Sequence, residues 1–131
     1  MDVGEQTEIA GKSFTYVYFA EYDERGNEIH SKNEFGFESF IEYNEKSKPV
    51  HKKTMFLDDL SEESWFNYDE NGHKIYEKDN NDYEKWYEYD SQGNLTHEKD
   101  NRGNEAFYKN EYNEKGTLKS VKRFSSETSS Q

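Results

Sequence analysis

Stretches that alternate aromatic and polar residues are interrupted at regular intervals by short polar turns. A tyrosine followed by Asp or Asn, two polar residues and usually a Gly occurs five times, at Tyr22, Tyr43, Tyr68, Tyr89 and Tyr112. The spacings of 21, 25, 21 and 23 residues lie in the range of a supersecondary unit that is copied and stacked. The pattern therefore predicts five repeats of one structural unit.

Each repeat has the sequence pattern of a β-hairpin. Segments such as 84–89 are rich in the aromatic residues that favour strands. Asp or Asn at the start of a turn, with Gly three residues later, is typical of a type I turn with Gly at positive φ and a bulge. Second turns at 79–82 and 100–104 separate the hairpins. The second hairpin, in which Ser47 replaces Gly two residues before Pro49, is predicted to be the most irregular.

The predicted fold is all-β. We expect a single antiparallel meander of about five repeated β-hairpins, strongly twisted or curled, over residues 14–124. A partly disordered N-terminus is expected over 1–13, and a disordered tail over 125–131.

Side-chain alternation assigns the residues before each turn to two faces. The Tyr face carries the repeated tyrosines, and a type I turn with a bulge would place His30, His51 and His97 there too. A four-residue loop would instead place these histidines on the opposite face of the sheet. The opposite Glu/Trp face does not depend on the loop, and it carries Phe19, Glu21, Phe40, Glu42, Trp65, Trp86, Glu88 and Glu111.

Composition favours a thin sheet with an acidic surface. Only 12 residues are Val, Ile or Leu, whereas 22 are aromatic, so aromatic rings must supply most of the buried area. A charged fraction of 35% is typical of disorder, but the regular spacing of the aromatics argues for a folded chain. The net charge of −12 disfavours nucleic-acid binding and suits a basic protein partner.

Several other classes of protein are disfavoured. The chain has no cysteine, which excludes a disulfide framework and a thiol nucleophile. It has neither a long apolar span nor the features of a secretory leader at its start, so we expect a cytoplasmic protein without a membrane partner.

The turns resemble a known family. Tyr68-Asp69-Glu70-Asn71-Gly72 and Tyr89-Asp90-Ser91-Gln92-Gly93 are similar to the Tyr-Asp-x-x-Gly hairpins of the YD-repeat family, found in Rhs-type bacterial toxin systems. The resemblance covers about residues 14–124, although the Arg that usually follows the Gly is missing. As a short acidic chain, it looks like the small YD-repeat immunity proteins of polymorphic toxin systems, which implies an inhibitor of a cognate toxin.

Catalytic and metal chemistry are weaker interpretations. Histidines at one repeat position suggest a metal site, but equivalent positions in successive hairpins lie about 10 Å apart, whereas two ligands of one ion lie within about 4 Å. Carboxylate pairs such as Glu62 and Glu63 suit glycosidase chemistry only in a cleft, and no other feature implies one. We therefore expect no metal, no cofactor and no enzymatic activity.

The leading hypothesis is an immunity protein that binds a cognate, basic nuclease toxin through the Glu/Trp face. The segment 54–63, which contains a four-residue insertion, is a second candidate, either as a binding loop or as a small hydrophobic cap. The alternatives are a structural or cell-surface YD-repeat module and a carbohydrate-binding sheet. The oligomeric state stays open. The candidate partner-binding residues are Phe19, Glu21, Phe40, Glu42, Trp65, Trp86, Glu88, Glu111, Asp58 and Asp59.

Overall fold

The chain folds into β-strands joined by tight turns. The structure is a computed structural model that describes residues 6–15, 17–57 and 59–126. In these residues the strands are β1 (Gln6–Ile9), β2 (Lys12–Thr15), β3 (Tyr18–Tyr22), β4 (Glu28–Asn33), β5 (Glu38–Tyr43), β6 (Pro49–Met55), β7 (Ser61–Tyr68), β8 (Lys74–Asp79), β9 (Glu84–Tyr89), β10 (Leu95–Asp100), β11 (Glu105–Tyr112) and β12 (Leu118–Ser126).

The strands belong to two compact units, the first ending at Trp65 and the second beginning at Phe66, inside β7. In the first unit, β1 pairs with β2, and β3 to β7 are paired in chain order. In the second unit, β8 to β12 are likewise paired in chain order. All these pairs are antiparallel, so the predicted all-β antiparallel meander is confirmed.

The two ends of the chain, for which the sequence predicts disorder, are described only in part. Residues 6–13 contribute to the β1–β2 hairpin, and residues 1–5 lie outside the described part. At the other end, Ser125 and Ser126 are the last residues of β12, and 127–131 lie outside the described part.

The turns share one hydrogen-bonding arrangement. In the first hairpin, the Asp23 carboxylate accepts the backbone N–H groups of Arg25 and Asn27, both at 2.9 Å. The N–H of Gly26 donates to the Asp23 carbonyl at 3.0 Å, with Gly26 at a φ of 87°. The same side-chain bonds occur at Asn33, Asn44, Asp69, Asp79, Asp90, Asp100 and Asn113. Asp and Asn are preferred there because their short side chains reach the backbone two residues on.

The second hairpin is as regular as the others, so the expected irregularity is wrong. Ser47 takes the glycine position with a φ of 63° and donates its N–H to the Asn44 carbonyl at 3.0 Å. Pro49 pairs with Tyr43 at the start of β6. Asn44 holds the turn in place, and the backbone tolerates one non-glycine residue at positive φ.

The register contradicts the predicted position of the histidines. The turn itself is as expected, since the N–H of Asp23 donates to the Asn27 carbonyl at 2.9 Å. The pairing then shifts by one residue between Glu21 and Tyr22, so that His30 lies opposite Glu21. Corresponding shifts place His51 and His97 opposite Glu42 and Glu88. One extra residue in the returning strand moves every later side chain to the other face, so the histidines lie on the Glu/Trp face.

The four additional residues in the second repeat do not form a loop. The N–H of Phe56 donates to the Leu60 carbonyl at 2.8 Å, as the N–H of Asn33 does to the Phe37 carbonyl at 3.1 Å. From Tyr43 to Phe56 the chain advances 13 positions, compared with 11 from Tyr22 to Asn33. From Phe56 to Tyr68 it advances 12 positions, compared with 10 from Asn33 to Tyr43. The strands take up the added residues two at a time, which preserves the faces, so these residues do not form the loop expected in 54–63. Binding by this segment stays a prediction.

Three hydrophobic residues of this segment, Phe56, Leu57 and Leu60, lie at the turn, whereas Met55 is the last residue of β6. The rings of Phe56 and Phe37 meet edge to face at 5.5 Å between centroids. Leu57 is 65% exposed and lies against Gly36, and Leu60 is 63% exposed. The predicted hydrophobic cap is therefore replaced by a contact between two neighbouring turns in the first unit.

Repeated tyrosines connect successive hairpins through their hydroxyl groups. The Tyr43 hydroxyl donates to the Glu28 carbonyl at 2.8 Å, and the Tyr89 hydroxyl donates to the Lys74 carbonyl at 2.6 Å. Tyr112 instead bonds the Asp90 carboxylate, and this bond is the main reason that the pKa of Asp90 falls to about 2. These tyrosine hydroxyls therefore join the second, fourth and fifth repeats to the repeat before each.

Neither unit has a thick core. Among the described residues, only Ala106 at 1% exposure and Asp100 at 9% are buried. The hydrogen bonds from Asn104, Arg102 and Tyr83 outweigh the effect of burial and lower the pKa of Asp100 to about 2. Stability must therefore come from backbone pairing, half-buried rings and side-chain hydrogen bonds.

A valine at position 26 should strain the first turn. A Cβ at this position would meet no atom within 4 Å, so the cost would come from the φ of 87°. We expect Gly26→Val to lower the free energy of unfolding by about 1–2 kcal/mol, measured by urea titration. Gly26→Asn should cost less because Asn tolerates positive φ. Equal losses in the two variants would contradict this explanation.

The link between Tyr89 and Lys74 can be tested by removing one hydroxyl. Tyr89→Phe should lower the free energy of unfolding by about 1 kcal/mol, because the Lys74 carbonyl loses its donor. Tyr22→Phe is the control, since Tyr22 is 58% exposed and its hydroxyl has no hydrogen-bond partner in the described residues. Similar urea midpoints for Tyr89→Phe and the unchanged chain would argue against the link.

Candidate docking face

Strand register assembles the Glu/Trp face in each unit. In the first unit it holds Phe19, Glu21, His30, Lys32, Glu38, Phe40, Glu42, His51, Lys53, Glu63 and Trp65. In the second it holds Tyr76, Lys78, Glu84, Trp86, Glu88, His97, Lys99, Glu105, Phe107, Lys109, Glu111, Ser120 and Lys122. Each unit therefore presents rings, carboxylates and cations on one surface.

A histidine held between two carboxylates is the repeating element of this face. His30 Nδ1 lies 2.8 Å from Glu21 Oε1, and His30 Nε2 lies 2.6 Å from Glu38 Oε2. The imidazole also stacks on Phe40, with 4.6 Å between ring centroids and 7° between planes. Strands β3, β4 and β5 are thus joined by one side chain.

The arrangement recurs at two more places. His51 lies 2.8 Å from Glu42 and 2.6 Å from Glu63, and its ring stacks on Trp65 at 5.4 Å. In the second unit, His97 lies 3.1 Å from Glu88 and 2.6 Å from Glu105, and stacks on Phe107 at 4.4 Å.

Other residues at the histidine position keep part of the arrangement. The Tyr76 hydroxyl donates to Glu84 at 2.6 Å, and its ring is tilted against Trp86 at 5.7 Å. Ser120 donates its hydroxyl to Glu111 at 3.2 Å.

The two carboxylates favour the charged imidazole. The hydrogen bond to Glu21 is the main cause of the raised pKa of His30, and the bond to Glu105 has that role for His97. Burial opposes the charge of His51, but the bonds to Glu63 and Glu42 outweigh it and raise the pKa. Two N–H donors are needed to bond two carboxylates, and only the protonated ring has both.

The predicted partner-binding residues differ in their exposure to solvent, with packed aromatic rings in one group and exposed carboxylates in the other. Phe40, Trp65 and Trp86 are 37–38% exposed, so each ring is packed on the sheet but reaches solvent. The side chains of Glu42 and Glu88 are 73% and 70% exposed, although each also bonds a histidine. Rings in the middle of a patch with accessible charges beside them are typical of a docking surface.

The structure places the predicted residues in three groups. The first unit brings Phe19, Glu21, Phe40, Glu42 and Trp65 to its Glu/Trp face, and the second unit brings Trp86, Glu88 and Glu111 to its own. Asp59 is exposed in the turn between β6 and β7, with a φ of 63°, and is not on that face. Asp58 lies outside the described residues.

Two members of the face were missed because the repeats were aligned on the tyrosines. That alignment put Lys109 at the aromatic position of the fifth repeat, but Phe107 stacks on His97 and Glu105 bonds it. Counting from the second turn would have found both. In these segments a Glu lies five positions after the Asn or Asp that opens the second turn, and an aromatic residue lies seven positions after it. Glu38 and Phe40 are one example, and Glu105 and Phe107 are another.

The histidine ring nitrogens of this face already have carboxylate partners. Both ring nitrogens of His30, His51 and His97 are engaged with carboxylates. No group of three or more metal-ligating side chains is found in residues 6–15, 17–57 and 59–126. In the first unit, Phe40, Glu42, His51, Lys53 and Met55 line part of an open depression of about 820 Å³.

Comparison with known proteins finds similarity at the level of the fold. No family model matches the chain, and no curated protein matches it. Solved structures that resemble it include TcdB2-TccC3 (17% identity, TM-score 0.67, 91% of this chain) and TcdB2-TccC3-Cdc42 (16%, 0.65, 87%). A Tc holotoxin pore from Photorhabdus luminescens is also similar (15%, 0.63, 88%).

The similarity concerns a small part of those structures. This chain spans only 6–7% of the much longer chains that it matches. At 15–17% identity the likeness shows the fold alone, which is a YD-repeat-like β-fold also present in toxin-complex chains.

The described residues also contain no helix that is long and apolar enough to cross a membrane.

Stability should fall as pH rises above neutrality. The folded-state pKa values of His30, His51 and His97 are raised above the ordinary value near 6.5. The protonated histidines therefore stabilise the folded state fully below about pH 6.5. This stabilisation is lost as pH rises through their folded-state pKa values. We expect a lower urea midpoint at pH 8.5 than at pH 6.

The control variant replaces all three histidines with glutamine. His30→Gln, His51→Gln, His97→Gln should be less stable at pH 6 and should vary much less between pH 6 and pH 8.5. A triple variant with the same pH dependence as the unchanged chain would exclude the histidines as its source.

Proposed function

We propose that the chain is a binding module that recognises a basic protein through its Glu/Trp face. The observation that carries the proposal is the combination of half-exposed rings at Phe40 and Trp65 with the 73%-exposed carboxylate of Glu42, all on one face of the first unit. Trp86 and Glu88 repeat the combination on the second unit. Packed rings supply affinity, and accessible carboxylates speed the encounter with a basic partner.

The orientation of the rings favours a protein over a sugar. His30 stacks flat against Phe40, and His51 lies nearly parallel to Trp65, with 18° between the planes. Sugar stacking uses an open ring face, and imidazole already covers one of the two faces of each of these rings, which leaves less ring area for a sugar. Protein side chains can instead contact ring edges and pair with the carboxylates beside them.

Within this proposal, the specific role is that of an immunity protein for a basic nuclease toxin. Three features support it: the net charge of −12, the resemblance of the turns to YD repeats, and a fold shared with chains of toxin complexes. An inhibitor acts by covering its target, so it requires no catalytic groups of its own. The surface described above supplies what such binding needs.

A structural YD-repeat module is the second candidate. It is favoured by one observation, namely that similar folds occupy 6–7% of much longer chains. Gene context distinguishes the two roles. A toxin gene next to this one supports the immunity role, and a reading frame that continues through many more repeats supports the structural role.

Charge reversal on the Glu/Trp face tests the proposal. Glu42→Lys should slow association with the basic toxin encoded beside the chain by about tenfold at low salt, since exposed interface charges act on the association rate. Glu62→Lys is the matched control. Glu62 is an exposed carboxylate of the same unit that pairs with Thr54 on the opposite face. The readouts are association rate and growth of cells that express the toxin.

The aromatic part of the face is tested by Trp65→Ala. We expect a loss of about 2 kcal/mol in toxin binding, with folding checked by circular dichroism. Unchanged binding by a folded Trp65→Ala, Glu42→Lys double variant would contradict docking on this face. A gene neighbourhood without a toxin would contradict the immunity role.

A further inference from the structure

Strand β12 is an open edge of the second unit. It pairs only with β11 in the described part of the chain, and all nine of its residues are exposed. An edge strand offers a row of backbone N–H and C=O groups to an additional strand.

The charges of β12 differ from those of the chain as a whole. The strand carries Lys119, Lys122 and Arg123 and no acidic residue, in a protein with a net charge of −12. Lys122 lies directly opposite Lys109 on β11, and like charges in this position are destabilising. Arg123 is bound to Tyr108 at 3.0 Å and lies 3.7 Å from Glu98, whereas Lys122 has no ionic or hydrogen-bonding partner in the described residues.

The interior of each unit shows which strand would fit beside Lys122. At each described contact between successive hairpins, the lysine ten positions after the repeated tyrosine lies opposite a glutamate of the next strand. These pairs are Lys32 with Glu38, Lys53 with Glu63, Lys78 with Glu84 and Lys99 with Glu105. Two residues further along the incoming strand, an aromatic ring lies opposite the histidine position, as Trp65 does opposite His51.

Lys122 occupies the lysine position of the fifth repeat, and Ser120 occupies the histidine position. In the described residues, no further strand pairs with β12 beside them. A glutamate opposite Lys122 would relieve its repulsion with Lys109, and a ring opposite Ser120 would repeat the interior arrangement.

We propose that β12 binds an extended segment of a partner protein as an added antiparallel strand, and that this segment carries Glu, any residue, then Phe or Trp. The glutamate lies opposite Lys122 and the aromatic ring opposite Ser120. The proposal concerns the backbone edge of β12, and the two added side chains would extend the Glu/Trp face of the second unit beyond Ser120 and Lys122.

A second copy of the chain fits this edge less well. Two β12 strands paired around Val121 would place Lys119 of one copy opposite Arg123 of the other, which is a like-charge contact. Strand β3 of a second copy, placed with Phe19 opposite Ser120, would bring Val17 opposite Lys122 and supply no glutamate. A partner segment with the acidic and aromatic pattern satisfies both positions.

A peptide with the sequence of residues 59–69 is a suitable probe, because in the fold this segment presents Ser61, Glu63 and Trp65 to Met55, Lys53 and His51 of β6. Labelled peptide is titrated with the whole chain at low salt and followed by fluorescence anisotropy. We expect saturable binding that Lys122→Glu weakens by about tenfold. Lys52→Glu, at an exposed lysine of the first unit, is the control with the same change in net charge and should bind normally.

A charge swap identifies the contact. A peptide with Glu63→Lys should bind the unchanged chain weakly and regain affinity for the Lys122→Glu variant. This variant should stay folded, because the new carboxylate lies opposite Lys109.

Equal binding to the Lys122→Glu variant and the unchanged chain, or no binding at millimolar peptide, would overturn the proposal. Self-association of the unchanged chain that Lys122→Glu abolishes would also overturn it, since a second copy would then be the occupant. Glu42→Lys changes the first unit and should leave peptide binding intact. A loss of toxin binding in that variant and a loss of peptide binding in Lys122→Glu are therefore distinguishable results.

Discussion

A one-residue shift in strand pairing just after the turn determines which side chains meet on each face. Where the pairing is described, the shift occurs in four hairpins, for instance between Glu21 and Tyr22 and between Glu42 and Tyr43. Because of it, His30 lies between Glu21 and Glu38 and stacks on Phe40. Without the shift, the histidines would lie among the tyrosines and the carboxylates would have no such partner.

As a consequence, the paired strands of each unit have two differently built faces. On the Tyr face, hydroxyl groups bond the backbone of the preceding hairpin, as Tyr43 and Tyr89 do. On the Glu/Trp face, histidines bond carboxylates from both neighbouring strands. Directional polar bonds thus supply much of the stabilisation that a thick apolar core supplies in other domains. The same bonds leave the rings of Phe40, Trp65 and Trp86 and the carboxylates of Glu42 and Glu88 partly exposed to solvent.

The sequence predicted the features that depend on local chemistry. The turns were predictable because Asp or Asn and Gly serve defined roles in them, and the Glu/Trp face was predictable because its members precede the turns. The side of the histidines was not, since it depends on a bulge that no residue type marks. Phe107 and Glu105 were missed for a related reason, because two added residues in β11 displace them from the tyrosine-based count.

The added residues around β6 and β7 imply a rule for which insertions this kind of repeat can accept. Each of the two connecting segments gains two residues, and the turns at both ends keep their form. A strand returns each side chain to its own face only after an even number of residues. An insertion of one residue would exchange the two faces beyond that point, and the histidines there would lose their carboxylates. Tolerated length changes within strands should therefore come in pairs of residues, while odd changes should be confined to turns.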